Sequence, residues 1–186
     1  MNTLDTIRER CSYRGKYRDI PVPRKHLRRI AEAGLAAPSG CNKQTVSLIA
    51  VDDPVVLERL RGVITPPIGE TAPAVICVLT RRIFAYRDRC FAVQDYAAAI
   101  ENMLLAATAL GYHSCWIEGH ITDDDQIGRK MAGILGVPEE YELVCFLPIG
   151  VAAEEPKRVK KQPYTQRAWL NGFGQDGHIL FAESPG

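Results

Sequence analysis

The sequence of 186 residues contains no apolar run that approaches the about 20 residues needed by a membrane-spanning helix. Its N-terminus, MNTLDTIRER, lacks the apolar segment of a secretory signal peptide. Lysine and arginine number 23 against 22 aspartates and glutamates, so a net charge of +1 provides no broad basic field for nucleic acid or anionic membranes. We therefore expect a cytoplasmic protein that binds neither nucleic acid nor membrane.

Metal-binding and disulfide patterns are also missing. The six cysteines are spread along the chain without a C-x-x-C pair, and no histidine joins them at metal-ligand spacing. We therefore expect reduced thiols and no metal site. Cys77 and Cys145 lie in the apolar runs AVICVL and ELVCFL, where a thiol behaves as a small hydrophobic side chain, so both are predicted to be in the core.

Several common functional motifs are absent. The sequence has no G-x-G-x-x-G after a strand, no G-x-x-x-x-G-K-[ST], no H-E-x-x-H and no G-x-S-x-G. The usual nucleotide loops, zinc protease helix and hydrolase elbow are thereby excluded. What is present is a globular composition, 46% hydrophobic and 24% charged, which predicts one domain over residues 1–186 with an extended C-terminal tail from about residue 152.

Apolar periodicity predicts helices and strands along the chain. Predicted helices cover the first dozen residues, the stripe Leu27–Leu35, residues 54–61, residues 95–110, and a segment capped by Thr122 and Asp123–Asp125 that ends near Leu135. Predicted strands are VSLIAV (46–51), AVICVL (74–79), HSCWIEG (113–119) and ELVCFLPIGV (142–151). Four strands separated by helices favour an α/β or α+β sandwich around a central sheet.

The predicted helix over residues 95–110 is apolar on nearly every side. Such a helix must be covered either within the core of its own chain or by a second subunit. The tail beyond Trp169 is also apolar and lacks a clear period. The sequence alone leaves both explanations open.

Two polar stretches stand out. AAPSGCNKQ, residues 36–44, places hydrogen-bonding side chains between a helix and a strand. The segment from Arg8 to Lys16 carries basic and hydroxyl side chains that could bind a phosphate, although a basic segment of this kind is also typical of a solvated surface.

The order of the sequence blocks resembles the nitroreductase family of flavin-dependent oxidoreductases over nearly the whole chain. The matching blocks are Arg10-Cys11-Ser12-Tyr13-Arg14, then Ile20-Pro21-Val22-Pro23, then Ala37-Pro38-Ser39-Gly40-Cys41-Asn42-Lys43-Gln44, then residues 95–105, Leu110-Gly111-Tyr112, residues 116–119 and Ile149-Gly150. The resemblance implies an α+β fold, a nitroreductase-like three-layer α/β/α sandwich with a central mixed β-sheet.

The resemblance also implies bound FMN. The flavin ring and its ribityl chain would contact Pro38, Ser39, Asn42 and Gln44. The FMN phosphate would be bound by Arg10, Ser12 and Arg14, joined by Lys160 or Lys161. Glu118 and Gly119 would form the turn that faces flavin N5, with a plain carboxylate at the end of a strand as the alternative for Glu118.

The expected activity follows from the same resemblance. NAD(P)H would reduce the flavin, and a nitroaromatic, quinone or related small-molecule acceptor would then take the electrons in a ping-pong sequence. The protein would be a homodimer with FMN at the subunit interface and exchanged terminal segments. No side chain is expected to act as a general acid, base or nucleophile, because the flavin performs the chemistry.

Departures from the family pattern keep alternatives open. Cys11 replaces a frequent second arginine, Thr45 follows Gln44 where many members have Pro-Trp, and the chain has little room for the helices that cover the substrate site in larger relatives. One alternative is flavin chemistry of another kind, such as dehalogenation, ring oxidation or flavin fragmentation. Others are flavin binding without turnover, and Cys41 as a nucleophile, which lacks an evident histidine partner.

Overall fold

A computed structural model of the chain describes residues 2–118 and 124–173. In these residues the helices are α1 Thr3–Glu9, α2 Arg24–Leu35, α3 Pro54–Arg61, α4 Ala92–Ala109 and α5 Ile127–Leu135. The strands are β1 Val46–Val51, β2 Ala74–Thr80, β3 Phe84–Tyr86, β4 Arg89–Cys90 and β5 Glu142–Ile149, and short 3-10 turns cover Gly40–Asn42 and Tyr164–Gln166. The assignment of residues 1–186 to one domain stays a prediction.

The central sheet has the strand order β1-β2-β5, and both strand pairs are antiparallel. Isolated bridges extend it beyond β5. His113 and Ile117 pair antiparallel with Gly150 and Phe146, and Ser12 pairs parallel with Ser114. The sheet is therefore mixed, and residues 113–117 lie between β5 and the segment that follows α1.

Each face of this sheet has its own hydrophobic layer. Along β2, Ile76 and Val78 pack with residues of α2 and α4, whereas Val75 and Cys77 pack with residues of α3 and α5. The alternation follows from the two-residue period of a strand, and burial on both faces explains why β2 is a continuous apolar run. This arrangement confirms the α+β fold with three layers, helices on either side of the sheet.

Helix α4 packs closely against α2. Gly34 of α2 faces Met103 of α4, and a Cβ atom at Gly34 would lie only 2.7 Å from Met103 Cγ. Much of the apolar surface of α4 is covered within the same chain, including Ile100 and Met103, both fully buried. The chain's own core therefore accounts for a large part of the apolar character of this helix.

The core cysteines lie where the sequence predicts them. Cys77 and Cys145 have no exposed surface. Burial raises the pKa of Cys77 to about 12, so its thiol stays protonated at neutral pH. All six cysteines are free.

The predicted strand over residues 113–119 is wrong as a regular strand. Only His113, Ser114 and Ile117 form bridges, and they alternate between two partners, because His113 and Ile117 face β5 while Ser114 faces Ser12. Pairing on two sides interrupts a continuous ladder with either neighbour. Gly119 lies outside the described residues.

Helix α5 begins later than predicted. It starts at Ile127, after Gln126, whose left-handed backbone (φ 52°) ends the preceding turn and whose side chain makes no capping hydrogen bond. Asp124 and Asp125 precede this helix rather than occupying its first turn. Thr122, the predicted N-cap, and Asp123, predicted in the first turn, lie outside the described residues.

The hairpin of β3 and β4 was not predicted from the sequence. Its turn is Arg87-Asp88, both with positive φ (45° and 59°). Two left-handed residues suit the twist of a two-residue hairpin, but the sequence signal for such a turn is Asn-Gly or Asp-Gly.

Among the described residues, no helix combines the length and apolar character needed to cross a membrane.

Candidate flavin site

The loop that follows α2 presents polar side chains at the surface. Asn42 and Gln44 are exposed and Ser39 is half-buried. The backbone N–H of Gln44 donates to Ser39 Oγ at 3.0 Å, and the side-chain Nε2 of Gln44 donates to Asn42 Oδ1 at 3.4 Å. Pro38 is exposed beside them. These side chains contact one another at the surface and face outward, which leaves them available to a polar ligand.

The backbone of this loop is unusual. Cys41, Asn42 and Gln44 have positive φ values of 50°, 53° and 48°. Outside glycine a left-handed residue costs about 1 kcal/mol, with asparagine tolerating it best. Contacts elsewhere in the protein must therefore stabilise this conformation.

Asp95 of α4 supplies such contacts. Its carboxylate, with 3% exposure, accepts the Gly40 N–H at Oδ1 and the Thr45 hydroxyl at Oδ2, both at 2.7 Å. Gly40 and Thr45 lie on either side of the left-handed residues of the loop. A single carboxylate therefore fixes the loop to the first turn of α4.

The next residue of α4 contacts a second predicted site residue. Tyr96 donates its hydroxyl to Glu118 Oε1, and Trp116 donates Nε1–H to Glu118 Oε2, both at 2.7 Å. Burial raises the pKa of Tyr96, and its hydrogen bond to Glu118 raises it further, so the phenol is a neutral donor. Because Asp95 and Tyr96 are consecutive, one helical turn holds both the polar loop and Glu118.

The basic segment after α1 is joined to the same region through the sheet. The bridge between Ser12 and Ser114 places it beside residues 113–117. Arg10 Nε lies 3.5 Å from Glu101 Oε1 of α4, and the Arg10 side chain is 20% exposed. Ser12 and Arg14 are exposed.

The chain after β5 returns to the same segment. Tyr17 and Ala152 form an antiparallel bridge, and the Ala153 N–H donates to the Lys16 carbonyl at 2.9 Å. Arg158 then forms an ion pair with Glu9, next to Arg10. Lys160 and Lys161 are exposed, and no ion pair holds them within residues 2–118 and 124–173.

Sequence reasoning missed the contacts of Asp95 and Tyr96. The sequence feature that could have revealed these contacts is a carboxylate and a phenol on the core-facing side of α4, where an unpaired polar group would be costly.

Cys41 is exposed, and the two histidines in the described part of the chain bond elsewhere. His26 contacts the Tyr112 hydroxyl, and His113 accepts the Ala152 N–H. This geometry gives no support for a nucleophilic Cys41.

Comparison with known proteins decides the family. A family model described as the nitroreductase family matches residues 7–66 and 62–151. The chain belongs to the nitroreductase family. As a family member it is also similar to a protein from Methanothermobacter thermautotrophicus named "Putative NADH dehydrogenase/NAD(P)H nitroreductase", with 30% identity over 84% of this chain and 80% of that protein.

Solved structures of family members have the same fold. A nitroreductase from Bacteroides fragilis, crystallised with bound FMN, is 31% identical, has a TM-score of 0.74, and is matched over 91% of this chain and 98% of its own. An FMN-dependent nitroreductase from Clostridium difficile is 28% identical with a TM-score of 0.76, over 91% and 99% of the two chains. The nitroreductase fold is thus shared along nearly the whole chain.

Proposed function

We propose that this member of the nitroreductase family is an FMN-dependent oxidoreductase that takes electrons from NAD(P)H and passes them to a nitroaromatic, quinone or related acceptor. It would do so by a ping-pong sequence, as a cytoplasmic homodimer. The observation that carries the proposal is the preformed polar loop of residues 38–44, anchored to the same turn of α4 that holds Glu118. FMN in the related Bacteroides fragilis structure supports the choice of cofactor.

The donors and acceptors of this chain suit an isoalloxazine ring and a ribityl chain. The ring edge requires both donors and acceptors, and the amides of Asn42 and Gln44 supply both from an exposed position. Ser39 adds a hydroxyl, and Pro38 adds an apolar surface. We assign these four residues to the flavin ring and ribityl chain.

The phosphate of FMN requires cations and hydrogen-bond donors. Arg14 and Ser12 are exposed, and Arg10 lies on the same segment beside α4. Lys160 and Lys161 belong to the segment that returns toward α1 through Arg158. We assign the phosphate to Arg10, Ser12 and Arg14, joined by Lys160 or Lys161, with Arg158 as a further cation on the same late segment.

Bound FMN would supply hydride acceptance at N5, which no amino-acid side chain provides. The chain's part is to orient and to exclude water. Tyr96 and Trp116 hold both carboxylate oxygens of Glu118, which fixes the position of this side chain. We assign the Glu118-Gly119 turn to the N5 edge of the ring.

The test is anaerobic mixing of the purified yellow protein with NADH and, separately, NADPH. We expect the absorbance of the oxidised flavin at about 450 nm to fall with at least one of them and to recover when a nitroaromatic or quinone is added. Absence of bleaching with both would favour a flavin-binding protein without turnover. Bleaching without recovery by any such acceptor would favour another flavin chemistry.

A homodimer is supported by apolar side chains that the single chain leaves exposed. Leu4 and Ile7 of α1 are 64% and 48% exposed, and Leu35 at the end of α2 is 58% exposed. Phe173, in the tail, is 82% exposed. Burial of such surface is the main driving force for subunit association. Sedimentation of the purified protein is expected to give a dimer, and a monomer with tightly bound FMN would refute this part.

A further inference from the structure

We propose that Asp95 is the positioning residue of the flavin loop, which holds residues 39–44 in their binding conformation before the cofactor arrives. The inference rests on the proposed function and assigns a role to a residue outside the predicted set of flavin contacts. Asp95 would act through the loop rather than on the flavin.

The contact uses both oxygens of a carboxylate. Both partners, the Gly40 N–H and the Thr45 hydroxyl, donate to separate oxygens of Asp95 at 2.7 Å. An asparagine would still accept the Gly40 N–H with its oxygen and donate its amide N–H to the Thr45 hydroxyl. A side chain without polar atoms, such as alanine, removes both contacts. Charge-assisted hydrogen bonds of this kind are also stronger than neutral ones.

The position of the two contacts explains their effect. Gly40 and Thr45 enclose a segment with three left-handed residues, Cys41, Asn42 and Gln44. Ligand binding would otherwise have to order this strained backbone, which lowers affinity. Fixing both ends beforehand removes much of that cost.

The loop is tightly packed at Gly40. A Cβ atom at residue 40 would lie 2.6 Å from Phe91 Cβ, so the backbone lies directly against the residue that precedes α4. The hydrogen bond to Asp95 and this contact act on the same peptide. These contacts hold the loop against the start of α4, and Tyr96 in the same turn of α4 donates to Glu118.

The test compares Asp95→Ala and Thr45→Val with controls of the same chemistry. Thr108→Val removes a hydroxyl from the far end of α4, where it donates to the Leu104 carbonyl. Asp53→Ala removes a carboxylate that accepts two backbone N–H groups at the start of α3. Both controls lie outside the proposed flavin site.

We expect Asp95→Ala to raise the dissociation constant for FMN about 10- to 100-fold, and Thr45→Val about 3- to 10-fold, while both controls stay within about twofold of the unaltered protein. Thr45→Ser, which keeps the hydroxyl, should retain the affinity. In protein stripped of flavin, amide hydrogen exchange at Gly40 and Gln44 should accelerate in Asp95→Ala and not in Asp53→Ala.

Unaltered FMN affinity in a folded Asp95→Ala variant, or unaltered exchange at Gly40, would overturn the inference. If that variant fails to fold, the difference between Thr45→Val and Thr45→Ser decides the matter, and equal affinities would overturn it. If the unaltered protein binds no FMN, the proposed function fails instead, and hydrogen exchange still reports whether Asp95 holds the loop.

Discussion

Replacing Arg10 and Arg14 together with alanine is expected to yield a folded protein that purifies without FMN. A charge-assisted hydrogen bond contributes about 1.5 to 3 kcal/mol, so loss of two phosphate contacts should raise the dissociation constant at least about 100-fold. Folding should be little affected, because Arg14 is exposed and Arg10 makes one ion pair with a half-exposed Glu101. The measurement is the ratio of flavin to protein absorbance after purification, followed by titration with added FMN.

A matched control removes the same charge elsewhere. Arg24 and Arg28 of α2 are exposed arginines that pair with Asp52 and Glu32. Arg24→Ala combined with Arg28→Ala should leave the protein yellow. A fully yellow Arg10→Ala, Arg14→Ala protein would contradict the assignment of the phosphate, and a colourless control would attribute the loss to net charge.

Replacing Glu118 with alanine is expected both to destabilise the protein and to slow reduction of its flavin. The change leaves the buried Tyr96 hydroxyl and the half-buried Trp116 Nε1–H without their acceptor. An unsatisfied buried polar group costs about 1 to 3 kcal/mol, so the free energy of unfolding should fall by about 2 to 4 kcal/mol. Flavin reduction by NAD(P)H should slow about tenfold or more, because the segment that we assign to the N5 edge would lose the contacts of Glu118.

Glu118→Gln separates geometry from charge. A glutamine can accept the Trp116 N–H with its oxygen and donate its amide to the Tyr96 hydroxyl, so most of the stability should return. Denaturant unfolding of the flavin-free protein measures the first effect, and anaerobic stopped-flow measures the second. An alanine variant with unchanged reduction rate would show that Glu118 does not support the reacting edge.

The parts of the fold that the sequence predicted are those with a strong local period. β2 is a continuous apolar run because both its faces are buried, and α4 shows apolar residues at helical spacing because its buried side carries Ile100 and Met103. The helix predicted over residues 54–61 is α3, and Asp53 caps it by accepting the N–H groups of Val55 and Val56. Local chemistry of this kind is readable without knowledge of the rest of the chain.

The parts that were not predicted depend on contacts between distant residues. The segment 113–117 pairs on two sides, and neither partner can be identified from its own sequence. The turn Arg87-Asp88 adopts a left-handed conformation without glycine or asparagine. Likewise, the side chains of Asp95 and Tyr96 gain their roles from Gly40, Thr45 and Glu118, which lie 22 to 55 residues away.

The candidate site also has a part that the sequence predicted and a part that only the structure shows. The resemblance to the nitroreductase family predicted which segments would hold FMN, and the structure adds how α4 joins two of them. The lysines Lys160 and Lys161 stay a prediction, since Arg158 is the late basic residue that contacts α1. Gly119 stays a prediction as well.

The most direct measurement is equilibrium titration of the flavin-free protein with FMN and with riboflavin, which lacks the phosphate. We expect saturable binding of one FMN per chain, and riboflavin should bind at least about 100-fold more weakly because it lacks the phosphate that the basic segment would contact. Failure to bind FMN would contradict the central claim. Equal affinity for the two flavins would contradict the role assigned to Arg10, Ser12 and Arg14.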